Sequence, residues 1–397
     1  MHGDLLSRRT IKFVNAAHAL DHFVLLIYPT AVIAIAAQWR TDYGALIALA
    51  TGAFVAFGAC SLPMGWLAER YGRRSLLAVF FFGYGLSCLG LSTSGTPREL
   101  AGWLLVLGVF SSIYHPIGSA MLVSHARHLG RDLGWNGVWG NLGAALASGV
   151  TAALAAWFGW QAAFVVPGVV CLGIGAAFVA LVPGDGVGQV KASSAAGVVR
   201  APYPGVFLAV FALAIICGGM TFNVLTIALP KVIDERLGMP LALGATGWLA
   251  TGVFVFGALM QLAIGRLVDR VPLPRIFAGL SILQPVGLAL AATSNGVALL
   301  AGLVLAMAAI YGQVVVNDAM VARYVAPHLR AKAYSIRYFL GFTVSGFAAP
   351  FIAVLHGGGG FGRVLAVTAG LGGIVFACAV AAMIVMRSPD RALAGQG

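Results

Sequence analysis

Twelve apolar stretches, each about as long as the roughly 20 residues that cross a bilayer as a helix, recur along the 397-residue chain. They lie at about 14–38, 44–66, 75–95, 100–124, 134–157, 161–182, 205–230, 241–264, 276–294, 297–320, 333–355 and 362–386. Only 9% of the residues are charged and 60% are hydrophobic, whereas a soluble domain is about 25% charged. The sequence therefore predicts an all-α membrane protein with twelve transmembrane helices, and it excludes a soluble or disordered chain.

The basic residues are distributed unevenly between the two predicted sides of the membrane. If both termini are cytoplasmic, 18 Lys and Arg residues lie inside and five lie outside, as the positive-inside rule requires. The net charge of +12 is then a topological signal rather than a sign of nucleic-acid binding. The first stretch is too long for a signal peptide, so we predict a multi-pass protein of the cell inner membrane with both termini in the cytoplasm.

A loop rich in Gly, Ser, Ala and Pro, residues 183–204, divides the twelve stretches into two sets of six. Residues 44–70 and 244–270 align without a gap and share 12 of 27 residues, which indicates an internal duplication with parallel orientation. We therefore predict two pseudo-symmetric six-helix bundles, at 1–182 and 205–397, joined by a cytoplasmic linker at 183–204. The expected oligomeric state is a monomer in the lipid bilayer.

The duplicated segment ends in a short charged loop in each half. In the first half it contains Gly65, Leu67, Glu69, Arg70, Gly72, Arg73 and Arg74, and in the second half it contains Gly265, Leu267, Asp269 and Arg270. The first copy resembles the G-x-L-a-D-r-x-G-r-[rk] signature between helices two and three of the major facilitator superfamily. The resemblance implies the two-bundle major facilitator fold, with alternating access by rocking of the bundles about a central site.

Two further runs of residues resemble a narrower group within that superfamily. His115-Pro116-Ile117-Gly118-Ser119 and Gly140-Asn141-Leu142-Gly143 are similar to the F-H-P-E-[AG]-S and G-G-N-x-G runs of fosmidomycin-resistance efflux transporters. His18-Ala19-Leu20-Asp21-His22 is similar to the H-x-x-[ND]-D run of the same group. The chain departs from the group at Ile117, where the group has an acid. This resemblance implies efflux of a small molecule.

Among the acids, only Asp21 and Asp318 lie within the predicted spans. A carboxylate in a membrane helix is costly and usually faces the bundle interior, where it serves transport. His18 and His22 share one helical face with Asp21, so we predict that these three residues couple transport to protons. The alternative is that an Asp–His pair fixes the first helix against helices four and five.

Several polar side chains in the spans are candidates for binding the transported solute. They are His115, Tyr114, Asn136, Asn141, Asn223, Gln313 and Arg337. Interhelical hydrogen bonding is an equally open role for the histidine and the amides. Arg337 either pairs with Asp318 to close an inner gate or binds an anionic solute. We assign the predicted inner gate to Gly65, Glu69, Arg70, Arg73, Asp269, Arg270, Asp318 and Arg337.

The chain contains no phosphate-cradling Walker sequence, so it does not drive transport with ATP, and we predict neither an enzyme nor a cofactor. The predicted function is secondary active transport of a small organic solute, coupled to protons, in the efflux direction. One alternative is uptake of a metal or metal chelate through His18, Asp21, His22 and His115, which are acceptable ligands for a divalent ion. The other alternative is a non-transporting membrane sensor on the same scaffold.

Overall fold

The computed structural model describes residues 2–126, 129–183, 204–238, 241–268, 270–325 and 327–387. Most of the predicted linker, Asp269 and residues 388–397 lie outside these ranges. The first ten helices are α1 (His2–Leu25), α2 (Ile27–Trp39), α3 (Tyr43–Ile47), α4 (Thr51–Ser61), α5 (Met64–Tyr71), α6 (Arg73–Ser92), α7 (Pro97–Ser111), α8 (Tyr114–His125), α9 (Leu129–Phe158) and α10 (Ala162–Leu181). The next six are α11 (Pro204–Arg236), α12 (Leu243–Leu267), α13 (Leu273–Thr293), α14 (Gly296–Tyr324), α15 (Pro327–Gly357) and α16 (Gly360–Arg387).

Twelve helical segments within the described residues are long and apolar enough to cross a membrane. They are Leu6–Trp39, Tyr43–Ser61, Arg73–Ser92, Pro97–His125, Asp132–Phe158, Ala162–Leu181, Leu208–Arg236, Leu243–Leu267, Leu273–Thr293, Gly296–Val321, Phe339–Gly357 and Gly360–Ile384. Each overlaps one predicted stretch, and the described part of the chain contains no β-strand. The predicted all-α membrane architecture is confirmed.

The helices continue past the points at which the hydropathy falls. Helix α9 begins at Leu129 and includes Asp132, which is buried, and α11 continues through Asp234 and Glu235 to Arg236. Asp21 and Asp318 are the only acids in the predicted apolar stretches, but the helices of the structure extend further and also contain Asp132, Asp234 and Glu235. The hydropathy pattern ends where charged side chains begin, whereas the helix continues beyond that point.

Proline interrupts two of the spans that build the first bundle. Pro29 has no N–H to bond the carbonyl of Leu25, and the helix is broken at Leu26, between α1 and α2. Pro116 likewise leaves the carbonyl of Ser112 without its helical partner, and the fourth span is divided into α7 and α8. This break places His115 in the first turn of α8.

Small residues allow these helices to approach closely. A Cβ at Gly143 in α9 would overlap the backbone of Ala19 in α1, and a Cβ at Gly108 in α7 would overlap the backbone of Ala53 in α4. Neither position therefore has room for a larger residue. Close contact of α1 with α9 brings polar side chains of both helices together.

The chain forms two compact units. The first contains residues 1–191 together with 227–234 and 240–255, and the second contains the remainder. In the first unit, α12 packs on α9, where the N–H of Gly149 donates to Thr251 Oγ1 at 3.0 Å. In the second unit, α13 packs on α14 where Gly287 and Gly302 lie against backbone atoms of the facing helix.

Candidate functional site

Asp21 lies in the interior of the first unit, with 1% of the residue exposed. Its Oδ1 accepts hydrogen bonds from the Tyr84 hydroxyl of α6 at 2.8 Å and from the Ser111 hydroxyl of α7 at 3.0 Å. Its Oδ2 lies 3.4 Å from Nε2 of His115 in α8. Both hydroxyl residues are completely buried. The carboxylate is therefore held by three other helices and contacts no Lys or Arg within the described residues.

His115 occupies the boundary between this buried carboxylate and more open space. Its side chain is 24% exposed, and its ring lies 5.9 Å from Phe57 and 5.3 Å from Tyr114, between ring centres. The break between α7 and α8 sets its position, because the residue follows the interruption directly. His115 is therefore the partly exposed partner of Asp21.

His18 is fixed against α9. Its Nδ1 lies 2.8 Å from the backbone carbonyl of Asn136, and its ring stacks on Tyr114 with centres 4.8 Å apart and planes at 25°. A Cβ at Gly140 would lie 2.5 Å from Nε2 of His18. The imidazole is thus enclosed by a carbonyl, an aromatic ring and the α9 backbone.

The hydrogen bonds determine the tautomers of the neutral histidine pair. A carbonyl only accepts, so Nδ1 of His18 carries the proton and Nε2 of His18 is an acceptor. His22 Nε2 lies 3.2 Å from that nitrogen and is therefore the donor. His18 and His22 bond each other, and neither bonds the carboxylate of Asp21 in the described contacts.

The predicted proton-coupling group is thus arranged differently from the helical-face prediction. His18, Asp21 and His22 lie on one helix, yet the carboxylate is directed toward α6, α7 and α8. Tyr84 and Ser111, which bond Asp21 directly, were not among the predicted site residues. A single Tyr inside the apolar α6 was the available signal, but its partner cannot be identified without the helix packing.

Two of the predicted solute-binding residues bond within the bundle. The amide of Asn136 donates to Asn15 Oδ1 at 2.9 Å and exchanges hydrogen bonds with the Tyr114 hydroxyl at 3.1 and 3.2 Å. Asn15 was not predicted. These contacts join α1, α8 and α9, and they hold the stacked ring of Tyr114 against His18. Asn141 is partly exposed on the same helix as Asn136.

The remaining predicted binding residues lie in the second unit. Arg337 pairs with Asp318, as one of the two predictions for this arginine requires. The amide nitrogen of Gln313 donates to Ser281 at 3.2 Å. Asn223 donates to the carbonyl of Gly219, one turn earlier in its own helix, at 2.8 Å.

The predicted gate loop of the first unit is largely exposed. A Cβ at Gly65 would have nothing within 4 Å, while Glu69 and Arg70 are exposed and Arg73 begins α6. Arg270 is exposed, and Asp269 lies outside the described residues. The neighbouring Arg74 caps α10 by donating to the carbonyls of Val182 and Val179 at 2.5 and 2.6 Å.

Gly140→Ala is expected to destabilise the first unit. The added methyl group would press on the His18 ring, which cannot move without losing its bond to Asn136 and its stacking on Tyr114. Overpacking of this kind costs about 1–3 kcal/mol. Gly137→Ala is the matched control, because a Cβ there meets nothing within 4 Å and alanine favours a helix. Thermal unfolding in detergent should give a lower Tm for Gly140→Ala only; equal Tm values would contradict this packing.

Comparison with known families identifies the class of protein. The sequence profile of the Major Facilitator Superfamily matches residues 13–246 and 211–397, and together these matches cover nearly the whole chain. The chain belongs to the major facilitator superfamily. It is therefore a multi-pass membrane transporter and not an enzyme, as the sequence predicted.

Solved structures show the same fold at low sequence identity. A bacterial homologue of the human lysosomal transporter Spinster, inward-facing and occupied, has a TM-score of 0.75 at 13% identity, over 96% of this chain and 95% of that one. A mutant of the nucleoside transporter NupG has a TM-score of 0.72 at 13% identity, over 95% and 100%. A D-xylose–proton symporter has a TM-score of 0.72 at 15% identity, over 95% and 96%.

These likenesses confirm the predicted major facilitator fold of two pseudo-symmetric six-helix bundles. No curated protein sequence matches the chain.

Proposed function

We propose that this superfamily member is a proton-coupled secondary transporter that exports a small organic solute by alternating access. The observation that carries the proposal is the environment of Asp21. A carboxylate that is 1% exposed in a membrane bundle lies beside an imidazole, and no fixed cation contacts it in the described residues. Such a group can change its protonation state during transport, whereas an Asp paired with Arg stays ionised.

The hydrogen bonds indicate where the proton is exchanged. Two hydroxyl donors occupy Oδ1 of Asp21, so Oδ2, which faces His115, is the oxygen that gains or loses a proton. The neutral pair and the Asp–His ion pair both have zero net charge, and they differ only in the position of one proton. Loss of that proton would leave a buried negative charge, which membranes disfavour. Solute bound beside His115 can offset this charge, and proton release is thereby coupled to solute binding.

The remaining site assignments extend this proposal to both bundles. His18 and His22 tune the coupling group, and the solute contacts His115, Tyr114, Asn136, Asn141, Asn223, Gln313 and Arg337. Gly65, Glu69, Arg70, Arg73, Asp269, Arg270, Asp318 and Arg337 form the inner gate. The support for these assignments is the polar character of the residues within apolar spans and, for the gate, the duplicated loop motif.

The direction of transport rests on the narrower sequence resemblance. The runs around His18, His115 and Asn141 are similar to those of fosmidomycin-resistance efflux transporters, and we propose that this chain belongs with them.

We also propose bundles at 1–182 and 205–397, a linker at 183–204, both termini in the cytoplasm, a cell inner membrane location and a monomeric state. The uneven distribution of Lys and Arg supports the orientation.

Reconstituted vesicles with an imposed pH gradient test the proposed function. A thermal-shift screen of the purified chain against antibiotics, organic acids and other small solutes first identifies a ligand. The proposal expects that ligand to accumulate against its own gradient when the pH gradient is present, and to equilibrate when an ionophore removes it. Uphill movement that is indifferent to the pH gradient would contradict proton coupling.

A second candidate function is uptake of a metal or metal chelate. One ring nitrogen from each of His18, His22 and His115 lies within 4.8 Å of the other two. Imidazole suits zinc, copper and nickel ions, so this cluster specifically favours the metal candidate. Metal accumulation by cells, compared between the parent and a His18→Ala/His115→Ala variant, tests it.

A further inference from the structure

We propose that His18, His22 and His115 bind one divalent transition-metal ion of the zinc type, and that Asp21 supports this site from outside the coordination sphere. This inference makes the second candidate function, uptake of a metal or metal chelate, more specific. It rests on that proposed function only for the claim that the bound metal is transported. It differs from the sequence-based prediction, which placed Asp21 among the ligands.

His18 already has the arrangement of a metal ligand. Metal-bound histidines almost always donate their second ring N–H to a carbonyl or carboxylate, which fixes the ring orientation and the tautomer. Nδ1 of His18 donates to the carbonyl of Asn136, so its Nε2 has the lone pair. Stacking on Tyr114 and contact with Gly140 hold the ring in this orientation. The Nε2 lone pair is therefore directed toward His22.

The spacing of His18 and His22 fits a shared ion. Zinc binds imidazole nitrogen at about 2.0–2.1 Å with tetrahedral geometry, which places two such nitrogens about 3.3 Å apart. The two Nε2 atoms lie 3.2 Å apart. When the ion binds, the His22 proton moves to Nδ1 and both Nε2 lone pairs point to the metal. The pair therefore needs a tautomer change and almost no movement.

His115 supplies the third ligand, and Asp21 orients it. Nε2 of His115 faces the Asp21 carboxylate at 3.4 Å, so Nδ1 is the nitrogen that this ring offers to an ion. A carboxylate behind a metal-bound histidine is a recurrent supporting arrangement. One ring nitrogen of each histidine lies within 4.8 Å of the other two, so a movement of at most about 1.5 Å brings the three nitrogens to a tetrahedral spacing.

Burial distinguishes the ligands from the supporting residue. The three histidines are all partly exposed, whereas Asp21 is 1% exposed and bonded by Tyr84 and Ser111. An ion that reached Asp21 would have to displace those hydroxyl groups. Three imidazoles leave the fourth tetrahedral position open, as in zinc sites that bind water or an exchangeable ligand. That position can take an oxygen or nitrogen atom of a chelating solute.

Zinc binding to the purified full-length chain tests the inference. The protein is prepared with a tag that contains no histidine, stripped with chelator, and titrated with Zn²⁺ in calorimetric competition against a chelator. The expected result is one Zn²⁺ per chain. X-ray absorption at the zinc edge should show three imidazole nitrogens and one light atom in the first shell of the parent protein. A parent chain that binds no zinc, or zinc with fewer than three imidazoles, overturns the site.

Single substitutions separate ligands from the supporting residue. Asp21→Asn should weaken zinc binding about 10–100-fold, the effect of losing an outer partner, and should keep the first-shell spectrum. His18→Asn, His22→Asn and His115→Asn should each weaken it more and remove one imidazole. His125→Asn is the matched control, because His125 lies outside the cluster and bonds Ser124 and Met121. The assignment would be contradicted if His125→Asn bound zinc as weakly as the cluster variants. It would also be contradicted if Asp21→Asn changed the set of atoms bound directly to the zinc.

The outcome is independent of the proton-coupling proposal. Failure of zinc binding removes this site and leaves pH-driven export of an organic solute to be judged in vesicles. If zinc binds as expected but the pH gradient does not drive transport, the zinc site stands and the proton-coupling proposal fails.

Discussion

Asp21→Asn is expected to abolish uphill transport while solute binding remains measurable. Asparagine keeps the shape of the side chain, and its carbonyl oxygen can still accept from Tyr84 and Ser111. It cannot take up or release a proton at the position of Oδ2. Without a group that links solute binding to protonation, the coupling free energy vanishes and the accumulation ratio should fall to about one. Downhill exchange should continue.

The control for this substitution is Asp234→Asn. Asp234 is also a helical acid, but it pairs with Lys231 at 2.6 Å near the end of α11. Its neutralisation should leave pH-driven accumulation unchanged. Loss of accumulation in both variants would assign the defect to general damage, and accumulation that survives in Asp21→Asn would make Asp21 a structural residue.

Neutralising either Asp318 or Arg337 alone is expected to impair transport more than neutralising both. These residues pair in the second unit, where 12% of the Arg337 side chain and 44% of the Asp318 side chain is exposed. Removal of one partner leaves a poorly solvated charge, whereas removal of both leaves none. Coupling energies of contacting residues range over about 0.5–3 kcal/mol. The partial exposure of Asp318 places this pair in the lower part of that range.

A double-mutant cycle with Asp318→Asn and Arg337→Gln measures the coupling, with transport rate and Tm as readouts. The Lys231–Asp234 pair, three residues apart on one helix, provides a cycle for comparison, and its coupling should be about 0.2–0.5 kcal/mol. Additive losses at Asp318 and Arg337 would contradict a functional ion pair. They would favour instead the hypothesis that Arg337 anchors an anionic solute.

Hydropathy predicted the membrane spans because lipid imposes one requirement on every span. The backbone must satisfy its own hydrogen bonds, and apolar length is the direct sequence signature of that requirement. The broken fourth span was also predictable, because Pro116 removes a specific N–H. The residues at which the helices begin and end were less predictable than the presence of the spans. Asp132 and Glu235 lie in helices that continue beyond the apolar windows.

The candidate site was predictable by residue type and not by partner. Polar groups in apolar spans are costly, and this alone marks out Asp21, His18, His22 and His115 in the sequence. Helical spacing places His18 and His22 on the same face of α1 as Asp21, whereas the hydrogen-bond partners of the carboxylate come from α6, α7 and α8. Contacts between residues 63 and 90 positions apart depend on helix packing, which one sequence without its fold does not specify.

Proton release on solute binding shows whether Asp21 is the group that couples solute binding to protonation. The purified chain is held in lightly buffered detergent solution with a pH-sensitive dye, and the identified solute is added. The parent protein is expected to release protons when it binds solute, and Asp21→Asn is expected to bind the same solute without releasing them. Equal proton release from the parent and from Asp21→Asn would contradict the assignment of Asp21 as the coupling group.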